Sequence, residues 1–173
     1  VLTQARSGVF ALTHERKEKY VELVAAAPDR HALFADVTAT LTGHGFDIID
    51  VRTWVTSTAM VLYHFRLSSI YPARLDEEST WKRLRDDLLG VVNGAVDAQA
   101  LLAKRRKSII LDRPADSGFD DPAVKVEQLT SDHHTIVDVH TKDEPGLLSR
   151  LCRSISTYGC DISYACINTM GDV

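Results

Sequence analysis

Apolar and polar residues alternate along Tyr20–Ala27, with Val21, Leu23 and Ala25 on one side and Glu22 and Val24 on the other. A period of two predicts a strand with one buried face. Pro28-Asp29-Arg30-His31 breaks it, and Leu33, Phe34, Val37 and Leu41 follow at the spacing of one helical face. Asp29 suits the N-cap of that helix, and Gly43-His44-Gly45 ends it. Phe46–Thr56 and Thr58–Ser69 are β-rich and predict a hairpin across Thr56-Ser57-Thr58. After Pro72, Trp81, Leu84, Leu88 and Val91 mark one face of a second helix, and Val96–Lys107 predicts a third. Ahead of all this, Val9–Leu12 reads as a short strand and His14–Lys19 as a charged connector.

The first part of this pattern is written twice. Asp29, Leu33, Gly45 and Asp47-Ile48 return as Asp143, Leu147, Gly159 and Asp161-Ile162, each 114 positions later and without a gap. The second copy opens with strands at Ala123–Leu129 and Thr135–Thr141. It continues with a helix carrying Leu147, Leu148, Leu151 and Ile155, and a strand at Ile162–Thr169. A period this long argues for two copies of one small domain rather than a solenoid. Each copy reads as the β-α-β-β-α of a βαββαβ plan with a further strand expected at its end, and the second copy stops after β-α-β. The expected fold is therefore α+β, with two ferredoxin-like domains, the second incomplete. The divisions expected are a lead-in over 1–18, a first domain over 19–107, a linker over 108–122 rich in Pro, Gly, Ser and Asp, and a second domain over 123–173. The chain begins at Val1 rather than Met, and we expect a longer protein around it.

Composition narrows the function. The 173 residues are 45% hydrophobic and 25% charged, which is ordinary globular usage, and the net charge is −4. An acidic chain offers no general attraction for nucleic acid or anionic membrane. No apolar run approaches the roughly 20 residues of a membrane span. The basic run Lys104-Arg105-Arg106-Lys107 reads as the solvated end of a helix rather than a phosphate patch. Cys152, Cys160 and Cys166 have no zinc-ligand spacing and are expected as reduced thiols in a cytoplasmic protein. The adjacent His133-His134 point to opposite faces of a strand and do not form a metal site. Tyr63 and Phe65 share a strand face, but no RNA-recognition pattern accompanies them. No nucleophile, phosphate-cradling or metallohydrolase motif is present, so no catalytic residue, metal or cofactor is assigned.

The turns carry a resemblance. Asp29-Arg30-His31-Ala32-Leu33 and Asp143-Glu144-Pro145-Gly146-Leu147 resemble the Asp-Arg-Pro-Gly-Leu turn of ACT domains. Gly45-Phe46-Asp47-Ile48 and Gly159-Cys160-Asp161-Ile162 resemble the Gly-x-Asn-Ile that opens the second ACT strand, and Ala165–Thr169 its Ala-x-Ile-x-Thr. Two copies with a long helical spacer, the basic run and Pro122-Ala123-Val124-Lys125-Val126 resemble the C-terminal region of the bacterial PII uridylyltransferase/uridylyl-removing enzymes. That resemblance implies paired regulatory domains that sense an amino acid, glutamine in that family, and control catalytic domains lying outside this chain. A homodimer is compatible with it. The chain departs from the motif at Ala32, where the family has Gly, at His31, where it has Pro, and at Asp47 and Asp161, where it has Asn.

An amino acid presents a carboxylate and an ammonium. Helix-opening amides suit the former, which points to Arg30–Leu33, including Ala32, and to Glu144–Leu147, including Gly146. Asp47 and Asp161 suit the ammonium. Asp29 and Asp143 are N-caps or ligands, and Asp47 and Asp161 are ligands or turn caps. In ACT pairs the ligand lies between domains, so the helix opening of one copy is expected to face the Asp of the other. The competing expectation is an ACT pair without ligand that serves dimerisation or docking.

Overall fold

The computed structural model of the chain describes residues 10–69, 71–109, 123–127, 135–142 and 146–168. The strands are β1 (Ala11–Arg16), β2 (Val21–Pro28), β3 (Phe46–Val55), β4 (Met60–Ser69), β5 (Ala123–Glu127), β6 (Ile136–His140) and β7 (Cys166–Asn168). The α-helices are α1 (Leu33–Gly43), α2 (Glu78–Val92), α3 (Ala98–Ile109) and α4 (Leu147–Thr157), with a 3-10 turn at Pro72–Asp76. Five strands form one antiparallel sheet in the order β1-β2-β4-β3-β7, and β5 pairs with β6.

The alternation of β2 places Val21, Leu23, Ala25 and Ala27 in the core. Val51 on β3 and Val61, Tyr63, Phe65 and Leu67 on β4 join them. Leu33, Phe34, Val37 and Leu41 of α1, Trp81, Leu84 and Leu88 of α2, and Cys152 of α4 close over that face. The fold is α+β, with helices against one side of an antiparallel sheet, which is compatible with the ferredoxin-like plan. Tyr63 and Phe65 are 1% and 0% exposed, so neither offers a stacking surface to RNA.

Four features differ from the sequence reading. The lead-in supplies a longer strand than Val9–Leu12. It runs Ala11–Arg16 and pairs with β2 from Ala11↔Ala26 to Arg16↔Val21. It fills the sheet edge beside β2, where the closing strand of a βαββαβ domain was expected after α2. The order in the first copy is thus ββαββα, and the β5–β6 hairpin opens the second copy in the same way. Asp29 does not cap α1. The helix starts later, at Leu33, with Ala32 at the N-cap and no side-chain cap bond. The Asp29 amide instead donates to the Ala59 carbonyl at 2.8 Å. The third helix begins at Ala98, because Asp97 Oδ1 accepts from the Gln99 and Ala100 amides and sets its start. The last strand, expected from Ile162, starts only at Cys166.

Helix α1 is buried almost all round, with Ala39, Thr40 and Thr42 covered as well as its apolar stripe. It lies over the sheet and is flanked by α2, α3 and α4. Its threonines tolerate this because they bond backward. Thr38 Oγ1 donates to the Phe34 and Ala35 carbonyls, and Thr40 Oγ1 to that of Asp36. No helix among the described residues is long and apolar enough to cross a membrane.

Candidate functional site

The two copies meet through equivalent positions. On the helix layer, Ser149 Oγ of α4 donates to the Ala35 carbonyl of α1 at 3.2 Å, and the two residues are 114 apart, the repeat offset itself. On the sheet, Arg52 of β3 pairs with Cys166 of β7, again equivalent residues, at the end of a ladder that continues through Val51↔Ile167 and Asp50↔Asn168. A local two-fold relation passes between these contacts. Each helix-opening turn touches the other copy, the first through His31 and Asp161 and the second through Gly146 and Leu102.

The first of these seams is described from both sides. His31 Nδ1, in the turn before α1, lies 2.7 Å from Asp161 Oδ1, ahead of β7. Both side chains are exposed. Arg30 beside it donates to Asp36, to the His31 carbonyl and to the Val91 carbonyl at the end of α2. Arg153 of α4 reaches the other oxygen of Asp36 at 2.8 Å. Cations, carboxylates and a helix N-terminus therefore converge at one boundary, as the recognition of a zwitterion requires. Leu33 contributes no side chain there, because it is 1% exposed in the core and its amide is bonded to the Arg30 carbonyl. Asp29 is exposed at the strand end.

The second seam lies at the opening of α4, where Gly146 sits against Leu102 of α3; Asp47 is half-buried at the start of β3. Asp143 and Glu144 lie outside the described residues, as do His133 and His134. Gly146 is buried and has φ +80°, and a β-carbon there would stand 3.2 Å from Leu102 Cδ1 of α3. The glycine thus serves a left-handed backbone and the close seating of α3. Ala32 holds nearly the same conformation, φ 59° against 80° with ψ 7° in both, at the cost of a methyl in the left-handed region.

Sequence reasoning missed Asp36, Arg153 and Leu102. The first two were visible only as opposite charges on the two copies of one helix, and their meeting depends on how those helices cross. Leu102 belongs to an apolar group of its own, with Ala39, Val91 and Ala98, which no periodicity within α3 separates from the main core.

Cys152 is buried, which pushes its thiol up to about 12 and keeps it protonated, a packing residue and not a nucleophile. Cys160 and Cys166 are free and exposed. Among the described residues no group of His, Cys, Asp and Glu is arranged to hold a metal. A concavity of about 710 Å³ lies at the other edge of the sheet, lined by His14, Trp81, Lys82 and Arg85 among others. His14 stacks on Trp81 with centroids 3.7 Å apart, and burial, aided by the Arg85 charge, lowers its basicity. This hollow lies away from every turn residue named above.

The chain is similar over most of its length to part of three bifunctional uridylyltransferase/uridylyl-removing enzymes. It is 29% identical to that of Phenylobacterium zucineum over 172 residues, covering 98% of this chain and 18% of the relative. It is 27% identical to that of Nitrobacter hamburgensis over 151 residues, 87% of this chain and 16% of the relative. It is 26% identical to that of Azospirillum brasilense over 164 residues, 91% and 17%. The chain thus spans under a fifth of the length of the curated relatives it matches. No family profile and no solved structure matches it.

Proposed function

We propose that the chain is a tandem ACT regulatory region of a uridylyltransferase/uridylyl-removing enzyme, and that it senses a small amino acid, glutamine first, at the seam between its two copies. The observation that carries this reading is the approach of His31 to Asp161, a helix-opening turn of one copy against a carboxylate ahead of the last strand of the other. In this reading Arg30 and the amides opening α1 take the ligand carboxylate, and Asp161 takes the ammonium in place of His31. Occupancy shifts the arrangement of the two copies only by the difference in affinity between arrangements, and catalytic domains outside this chain read that shift in the cytoplasm. The first seam is the better candidate because Leu102 already covers the glycine of the second.

Calorimetric titration with glutamine and a panel of other amino acids tests the proposal. Saturable heat with glutamine, lost in Asp161→Ala, is the expected result. Absence of heat and of thermal stabilisation at millimolar ligand sinks it. The second reading, a pair that only docks or dimerises, is favoured by Ala32 and by the covered Gly146. It predicts no heat with any amino acid and a sedimentation coefficient that rises with protein concentration.

A further inference from the structure

Asp36 stands in the first turn of α1, and only 14% of its side chain is exposed. Its two oxygens serve different copies. Oδ2 accepts from Arg30 Nη2 at 2.9 Å, within the first copy. Oδ1 accepts from Arg153 Nη2 of α4 at 2.8 Å, across the seam. Arg30 is also held by the Val91 carbonyl at 2.9 Å, where the negative end of the α2 dipole attracts a cation. One carboxylate and two guanidiniums therefore tie together the helix-opening turn, α1, the end of α2 and the helix of the second copy.

An isolated exposed ion pair contributes little. This one differs because its carboxylate is largely withdrawn from water and shared, so removing either arginine leaves a charge short of partners. A guanidinium can also exchange one carboxylate for another with the same planar geometry. We propose that Asp36 is an electrostatic latch seating the second copy on the first, and that Arg30 is its releasable arm, which an amino-acid carboxylate at the opening of α1 draws away from Asp36 and Val91. The latch stands on the geometry alone; the release rests on the function proposed above. Release frees the end of α2 and hence the approach to α3, whose Leu102 touches the second copy at Gly146. Ligand binding at one seam is thereby felt at the other.

Amide hydrogen exchange of the whole chain tests both parts, read at Cys166–Asn168 of β7 with β2 and β4 as internal reference. Asp36→Asn keeps the shape and removes the charge, and Arg153→Gln removes the partner. Each is expected to speed exchange in β7 by about tenfold while β2 and β4 stay unchanged. Salt near 1 M, where the screening length falls to about 3 Å, is expected to speed β7 exchange in the parent and to leave Asp36→Asn unmoved. A merely structural Asp36 gives no such salt dependence. Unchanged β7 exchange in both variants overturns the latch. Glutamine is expected to speed β7 exchange in the parent and to have no effect in Arg30→Ala. Glutamine that binds by calorimetry without changing β7 exchange overturns the release alone. Glutamine that does not bind overturns the sensing function and the release, and leaves the latch to the salt and Asp36→Asn results.

Discussion

The two helix-opening turns share a backbone and differ in everything laid over it. Ala32 and Gly146 occupy the same left-handed conformation one residue before equivalent helices. Over Gly146 lies Leu102, 3% exposed, from the helix that links the copies. Beside Ala32 lie Arg30, His31 and the carboxylates they hold. The comparison teaches that a glycine in a binding-type turn has two separate reasons to be there, conformation and close approach. In the second copy the close approach is made by the protein's own side chain. In the first the conformation is kept without glycine, and charged groups crowd the place where a ligand would lie.

The copies differ also in how much each buries, and this gives the largest expected effect. Phe65 is 0% exposed in the first copy, whereas Val126 on β5 is 64% exposed. Phe65→Ala is expected to cost about 3–5 kcal/mol, and Val126→Ala to stay within about 0.5 kcal/mol, both measured by urea unfolding. Comparable losses would erase the distinction between a packed first copy and an open second one.

The turns predict changes of opposite sign. Gly146→Ala places a β-carbon in the left-handed region and against Leu102, and is expected to lose about 1–2 kcal/mol. Ala32→Gly relieves the same strain and gives part of it back as freedom of the unfolded chain, for a net gain of up to about 1 kcal/mol. Denaturant midpoints moving in the same direction would show that the turns are not conformational equivalents.

The elements were legible where their pattern is local. The alternation of β2 and the Trp81–Leu84–Leu88–Val91 stripe of α2 correspond to buried faces in the structure. The placement of β1 was not, because a short strand in the lead-in carries no mark of which edge it joins. The start of α1 was misplaced for a related reason. Asp29 has the right chemistry for an N-cap, but its amide is held by Ala59 in the neighbouring hairpin turn, which keeps the chain extended through Pro28. At the seam, the repeat made Asp47 and Asp161 visible as equivalents. Asp36 and Arg153 are not equivalents of each other and needed the helix crossing to be seen together.

The smallest effect belongs to the far edge, where β1 meets α2. Burial and Arg85 hold the His14 imidazole below its ordinary 6.5, so the folded chain prefers it neutral. The unfolded chain then binds more protons in the window just under 6.5, and stability falls as the pH is lowered through it. His14→Phe is expected to flatten that slope, with a midpoint shift smaller than that of either turn variant. An unchanged slope would assign the acid sensitivity to other groups.

The most direct test of the seam is a titration of isotope-labelled protein with glutamine, following backbone amide shifts. The account predicts saturable shifts centred on Arg30–Leu33 and Asp161, with a weaker response at Val91 and Gly146. Shifts centred on His14, Trp81 and Arg85, or none at millimolar glutamine, would contradict it.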